Sequence, residues 1–525
     1  MASDERAEPA HVVVIGAGVA GLGTALALSR AGHRVTVLER DATPLPADPD
    51  AAFAWDRRGA PQVRHSHALL ARLRNLLRDR YADVLEQLLA AGATELAFCE
   101  MMPDTIDDPS PRPGDEDLVA IACRRTTFEW VLRRTVLAEE GVDLCDGVAV
   151  TGLLADPDPR TGRPRIAGVT VGPGRGQDGP TQHLPADLVV AAAGRRTGGP
   201  RWLEAIGASP AVIEEDTGIV YCSRFYRLRD DAEPPAQDGP IGGDLGYLKY
   251  AVFQGDNRTF SVTFAVGTHD DELRARLLHP DAFDGAAGAL PATAPWVDPA
   301  RAQPLTEVHV MGGLLNRLIR HLDDDGEPLV TGYLAVGDAH TCTNPLYGRG
   351  CSLAMVQADL LAEALATVDL ADPDGLAALA RAYEAASARE VEPWYRAAVT
   401  QDRMARRAAE EDAAGAAAGA PASRDGRDAD AGSVADDRGE DPEATQRRFL
   451  REVMRDGLLP AVRTDAVVFR AFLRGLNLLD DPDALLADGD VIGRVLAVYQ
   501  DREHRSPEPS LGPPRHELLA VLDAG

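Results

Sequence analysis

Short apolar runs and helical stripes alternate along most of the chain. Residues 12–15 are wholly apolar and β-branched, the pattern of a parallel strand buried on both faces. An Ala- and Leu-rich run follows to Arg30, with Ala25 and Leu28 on its buried face and Gly32 placed to end the helix. Residues 35–38 repeat the strand pattern. Leu69, Leu70, Leu73, Leu76, Leu77, Tyr81, Val84 and Leu88 recur at helical spacing and predict one helix over 69–89. Residues 121–132 read as a strand end entering a helix, with Phe128, Val131 and Leu132 on the buried stripe and Arg125 in the first turn. A short strand region at 141–152, a Gly- and Pro-rich hairpin at 157–185, a buried strand at 186–194 and a helix around 202–206 follow.

From Gly218 the period changes to two. Tyr221, Phe225, Tyr226, Tyr247, Tyr250, Phe253, Phe260 and Phe264 crowd this stretch. Phe260, Val262, Phe264 and Val266 face one way, and Ser261, Thr263 and Ala265 the other. Gly255-Asp256-Asn257 supplies a hairpin turn. An antiparallel sheet is expected, its aromatics forming either a substrate-cavity wall or simply core. Residues 333–339 return to the buried-strand pattern, a helix runs over 352–366, and further helices reach about residue 411. Residues 412–442 are mostly Ala, Gly, Asp, Ser and Arg, which cannot bury a core and read as a disordered linker. Helical periodicity resumes to the end, with Phe449, Val453, Leu458, Val468, Phe469, Phe472 and Leu473 apolar.

The first strand runs into Gly16, Gly18 and Gly21, a G-x-G-x-x-G opening a helix. The first glycine permits a tight turn, the second lets a pyrophosphate approach the backbone, and the third lets helix pack on strand. The helix N-terminus offers free N–H groups to phosphates. Glu39, ending the second strand, suits the ribose hydroxyls of an unphosphorylated dinucleotide. Arg125 at a helix start is opposed by the helix dipole and calls for an anionic or hydrogen-bonding partner. The loop before residue 69 carries Arg58, His65 and His67, which either line a cavity or cap the following helix.

A second signature, Gly337-Asp338-Ala339 followed by Pro345, Gly348 and Gly350, lies far from the first. Together with the glycine triplet, Glu39-Arg40 and Arg125, it resembles the FAD-dependent monooxygenase superfamily of p-hydroxybenzoate hydroxylases, squalene-type epoxidases and geranylgeranyl reductases. The resemblance covers about residues 10–400. It implies that Gly16, Gly18 and Gly21 hold the FAD pyrophosphate and Glu39, with Arg40 beside it, the adenosine ribose. It also implies that Arg125 contacts the cofactor, and that Gly337-Asp338 meets the ribityl chain. Residues 345–350 would pass along the isoalloxazine. The implied activity is hydroxylation or epoxidation of an apolar small molecule by O₂ through a flavin hydroperoxide, with no side chain acting as nucleophile. A geranylgeranyl-reductase-like reductase or dehydrogenase of an isoprenoid-like substrate is the alternative. A flavin-dependent halogenase and a non-catalytic flavin-binding protein are lesser ones; the Trp-x-Trp-x-Ile-Pro motif of halogenases is absent. Where the superfamily carries Asp-Gly in its middle signature, this chain has Ala193-Gly194, leaving either NAD(P)H or a separate flavin reductase as electron donor.

The expected fold is therefore α/β (α+β two-domain): a Rossmann-like FAD-binding domain with an inserted antiparallel-sheet substrate domain and a C-terminal helical extension. The expected boundaries are 10–215 and 326–411 for the two parts of the FAD-binding domain and 216–325 for the insertion. The linker is expected over 412–442 and the helical segment over 443–525. The 525 residues suffice for such a core, and the net charge of −29 argues against a nucleic-acid surface. Lys249 is the only lysine; a substrate-anchoring role competes with a solvated strand position. Six cysteines without C-x-x-C indicate neither zinc nor disulfides. The acidic start shows no signal-peptide pattern and no apolar run suits a membrane span, so a cytoplasmic protein is expected.

Overall fold

The structure, a computed structural model, describes residues 9–173, 180–235, 241–417, 442–504 and 510–524. β1 (His11–Ile15), α1 (Val19–Arg30) and β2 (Arg34–Glu39) open the chain. In the central sheet β1 lies between β2 and Leu188–Ala191, with Val142–Asp146 outside β2 and Tyr333–Ala335 outside Leu188–Ala191. Every pairing is parallel. The edge strand Tyr333–Ala335 arrives after the whole inserted sheet, so the nucleotide fold closes only late in the chain. α1, buried almost all round, packs with α2 (Arg125–Ala138) on one side of this sheet. Val148–Pro157, Pro164–Pro173 and Gln182–Pro185 form a three-stranded antiparallel sheet; residues 174–179 lie outside the described residues.

The helix expected over 69–89 is two helices, Ala71–Arg80 and Ala82–Ala90, broken at Tyr81. Tyr81 leaves helical geometry (φ −136°, ψ 46°) and buries its ring, donating its hydroxyl to Asp359 Oδ1 at 3.2 Å. Heptad-like spacing survives such a break because each half keeps its own stripe.

In the inserted sheet, β3 (Ile219–Leu228) and β4 (Leu248–Gln254) flank β5 (Thr259–Gly267). The register sets Tyr221 opposite Ala265, Ser223 opposite Thr263 and Phe225 opposite Ser261. Two-residue alternation thus divides the sheet into an aromatic face and a hydroxyl-bearing face. Tyr226, Phe260, Phe264 and Val262 pack against Phe283 and Trp296 of covering helices. The stacked Tyr226–Phe260 pair (5.2 Å) and the tilted Phe264–Phe283 pair (4.6 Å) lie there. Most of the aromatics are therefore outer core rather than cavity wall. Apolar rings gain most where they leave water entirely, and only the helix-covered side is that dry. The lighter face looks toward the nucleotide-binding half.

α3 (Gly350–Ala366) follows the second signature, and α4 (Glu392–Ala417) crosses back over the strand Leu315–Arg320. The linker reading fails at its first residues: 412–417 continue α4, since Ala is the best helix former. The remainder of that segment to residue 441 lies outside the described residues.

In the tail, α5 (Ala466–Leu476) lays Ala466, Phe469 and Leu473 on Ile106 and Leu118. Its Arg470 pairs with Asp115 at 2.7 Å. α6 (Arg515–Ala524) inserts Leu518 and Leu522 into the aromatic core of the inserted sheet. Tyr250 and Tyr247 donate their hydroxyls to Leu511 O (2.5 Å) and Pro513 O (2.6 Å) just before it. No helix among the described residues is long and apolar enough to cross a membrane.

The β4–β5 turn fastens the two halves together. Asp256, fully buried, accepts from Arg124 N (2.7 Å), Arg124 Nη2 (2.5 Å) and Thr127 Oγ1 (2.8 Å) at the start of α2. Removing one partner of such a pair strands the other charge. Asp256→Ala should cost about 3–5 kcal/mol in chemical denaturation, well beyond a surface aspartate control.

Candidate functional site

β1 turns on Gly16 at φ +103°, a conformation L side chains rarely adopt. A Cβ on Gly21 would lie 1.8 Å from the Gly16 carbonyl oxygen, so α1 reaches this turn only because position 21 has no side chain. Gly18 differs: it caps α1, and a Cβ there would meet nothing within 4 Å. An open cradle over helix N–H groups remains, the geometry that takes a pyrophosphate. Glu39 is buried beside it, accepting from Ala17 N (2.8 Å) and Asp41 N (2.9 Å), while Arg40 next to it is exposed. Two carboxylate oxygens have lone pairs beyond these two bonds for ribose hydroxyls.

At the start of α2, Arg125 donates through Nε to Glu129 Oε1 (2.8 Å) and through Nη1 to Cys351 Sγ (2.9 Å) at the start of α3. Glu129 also faces Arg57 Nε at 3.2 Å. Burial works to raise the Glu129 pKa, but Arg125 and Arg57 overcome it and hold the carboxyl below the usual range. Arg57 reaches on to Ala17 O (2.8 Å), tying this cluster to the glycine turn. Of the neighbouring arginines, Arg57 turns inward, whereas Arg58 is exposed and paired with Asp56. The Arg58 cavity expectation is therefore corrected to Arg57, a choice the sequence Arg57-Arg58 alone could not make. Glu129 was findable, standing one turn beyond Arg125 on the same face.

His65 and His67 do reach the junction of the two halves. His65 Nδ1 lies 3.2 Å from Ser223 Oγ on β3, and His67 Nδ1 lies 2.9 Å from His65 O. Ser66 Oγ bonds both Ser261 Oγ (2.7 Å) and Thr263 Oγ1 (2.5 Å). The loop is thus seated on the hydroxyl face of the inserted sheet. Burial, with the neighbouring His309, pushes His65 down to about 4. Burial, with the Arg125 charge, pushes His67 down to about 3. Both imidazoles are neutral at pH 7.

Gly337–Ala339 form a short turn held by Gly337 N donating to Gln357 Oε1 at 2.8 Å. Burial raises the Asp338 pKa against the pull of Arg125, Arg195 and Arg317. Its carboxylate has no hydrogen-bond partner among the described residues and has lone pairs that can accept from a hydroxyl. Pro345–Tyr347 make another short turn, ended by Gly348 at φ +67°. Gly350 begins α3, and Ser352 Oγ, buried in its first turn, is likewise unpartnered. The open glycine cradle, Glu39, the free Asp338 carboxylate and this helix start fit FAD. Ala193 is exposed, and Arg195 donates to Gly313 O at 3.0 Å. Arg195, Arg196 and Arg317 line a cleft of about 240 Å³ there. Lys249 is paired with Asp244 at the sheet edge.

Two measurements test this geometry. Gly18→Ala should keep stability within about 1 kcal/mol yet weaken FAD binding about tenfold or more, a loss of about 1.4 kcal/mol. Gly21→Ala should instead destabilise the apoprotein by about 1–3 kcal/mol. Titration with FAD and thermal unfolding of both variants separate the two roles. Because the unfolded chain protonates His65 near its ordinary value of about 6.5, it binds the extra proton over the window down to about 4. Native stability therefore falls as pH drops through that window, by about 2 kcal/mol at pH 5 from this one group. Wild-type Tm should fall more steeply than that of His65→Gln between pH 7.5 and 5.

Known proteins resemble this chain in sequence and in fold. The FAD dependent oxidoreductase family (DAO) matches residues 11–90, the segment from β1 past the histidine loop. Protein Rv3254 of Mycobacterium tuberculosis is 33% identical over 389 residues, 70% of this chain and 75% of that protein. OxyS anhydrotetracycline hydroxylase from Streptomyces rimosus superposes with a TM-score of 0.51 at 18% identity, covering 90% of this chain and 76% of its own. PqsL of Pseudomonas aeruginosa, described as a probable FAD-dependent monooxygenase, gives 0.51 at 17% identity over 76% of this chain and 95% of its own. This chain belongs to one family with the mycobacterial Rv3254 and is a FAD-dependent oxidoreductase with the fold of the FAD-dependent monooxygenase superfamily.

Proposed function

We propose that the protein is a monooxygenase of specialised metabolism that hydroxylates or epoxidises an apolar small molecule with O₂. The observation that carries this reading is a largely buried apolar strip where the inserted sheet meets the Pro345–Tyr347 turn. There Tyr221, Ala265 and Leu314 cluster with Ile219, Met311 and Leu346, beside the hydroxyls of the same sheet face. An apolar substrate held on this strip lies against the loop that would flank the flavin ring. Ser223 and neutral His65 can orient one polar group, since a neutral imidazole both donates and accepts.

FAD, when bound, supplies the oxygen chemistry. The chain's own residues bind, orient and exclude water. The α3 N-terminus and the Arg57–Glu129–Arg125 cluster place excess positive charge on the cofactor side. Gly18, Glu39 and Asp338 would hold the cofactor's polar length, and His65 keeps a single ring proton at neutral pH.

For the electron donor, Ala193 supports a separate flavin reductase, because the exposed turn there presents no carboxylate and Arg195 is engaged with Gly313 O. Chemically reduced holoprotein mixed with O₂ should consume less oxygen to free peroxide when a suitable apolar substrate is present, and ¹⁸O₂ label should enter product. Turnover under anaerobic conditions would transfer the protein to the reductase class. NADH or NADPH alone should bleach the flavin slowly, and an added flavin reductase should restore oxygenation; fast direct bleaching would make NAD(P)H the donor.

A further inference from the structure

Asp402, on α4, is nine-tenths or more buried and makes no ion pair with lysine or arginine among the described residues. Leaving a carboxylate in such a place is costly unless hydrogen bonds satisfy it. Three do. Oδ2 accepts from Asn316 Nδ2 (2.6 Å), and Oδ1 accepts from Asn344 Nδ2 (2.8 Å) and from the Tyr347 hydroxyl (2.7 Å). Asn344 is itself held at three further points. Its backbone N donates to Asn316 Oδ1 (2.7 Å), and its side-chain oxygen accepts from Leu346 N (3.0 Å) and from the Tyr221 hydroxyl (3.0 Å).

Each amide in this network has one permitted orientation. Asn316 cannot flip, because its oxygen holds Asn344 N and its nitrogen holds Asp402. Asn344 cannot flip, because its oxygen already has two donors. A single negative acceptor on α4 therefore fixes the turn before Gly348. The same chain of bonds ends on Tyr221, in the strip where the substrate is placed.

We propose that Asp402 is a positioning residue, resting on the FAD reading above. Through Asn344 and Tyr347 it sets residues 345–350 against the flavin ring, and through Asn344 and Tyr221 it ties that loop to the substrate strip. It touches neither cofactor nor substrate.

Asp402→Asn keeps the shape but sets an amide N–H₂ toward Asn316 Nδ2, or else toward Asn344 Nδ2 and the Tyr347 hydroxyl. The exchanged pair Asn316→Asp with Asp402→Asn reverses donor and acceptor between the two and restores every bond at unchanged net charge. FAD titration, the visible absorption spectrum and fluorescence of bound flavin, and its reduction potential are the readouts. Asp402→Asn should weaken FAD about tenfold and move both spectrum and potential, with far-UV circular dichroism unchanged, and the exchanged pair should return all of them to wild type. Tyr347→Phe, which removes one of the three bonds, should move the spectrum in the same direction by less, and it decides the matter if Asp402→Asn fails to fold. Wild-type FAD binding with unaltered spectrum and potential in Tyr347→Phe and the foldable Asp402 variants would overturn the positioning role alone. A wild-type chain that binds no FAD would overturn the cofactor reading and this role with it.

Discussion

α2 begins with two arginines where its own dipole presents positive charge, and buried carboxylates neutralise them. Arg124 is met by Asp256 from the far end of the inserted sheet, and Arg125 by Glu129 one turn along. The two solutions do different work. The first crosses between halves and fixes where the sheet stands over the cofactor cradle. The second stays local and admits Arg57, which carries the charge pattern back to the glycine turn. Burying these groups is worthwhile only with each partner in place, so the relative position of sheet and cradle is specified by charge as well as by apolar contact.

The nucleotide half was legible because its signals are local. A β-branched run, a glycine triplet and a terminal acid each dictate backbone geometry within a few residues, and the structure places all of them around one turn. The inserted sheet was legible in period, hairpin turn and division of faces. Which face served which purpose was not. Alternation says that Phe264 and Thr263 point apart, but only the later helices, including α6, decide which side becomes dry.

The site residues that went unread share a trait: their partners are remote in sequence. Asn316, Asn344 and Asp402 look unremarkable one at a time, and Asp402 reads as one acid in a charged helix. Arg57 and Arg58 are indistinguishable in sequence, and only the position of Glu129 separates them. Long-range hydrogen bonding has no periodicity to find. The break at Tyr81 belongs with these, since the hydroxyl's partner Asp359 lies on α3.

The seating of α6 in the inserted sheet also bears on biosynthesis. The aromatic side of that sheet is made from residues 219–297, yet Leu518 and Leu522 complete it. While the chain emerges from the ribosome, those rings remain partly uncovered until more than two hundred further residues have been added, because Tyr250 and its partner at Leu511 are 261 positions apart. Contacts of such separation are slow to form, and exposed apolar sheet surface invites association in the interval. The nascent protein should therefore be a client for chaperones, with its yield limited by the wait for α6.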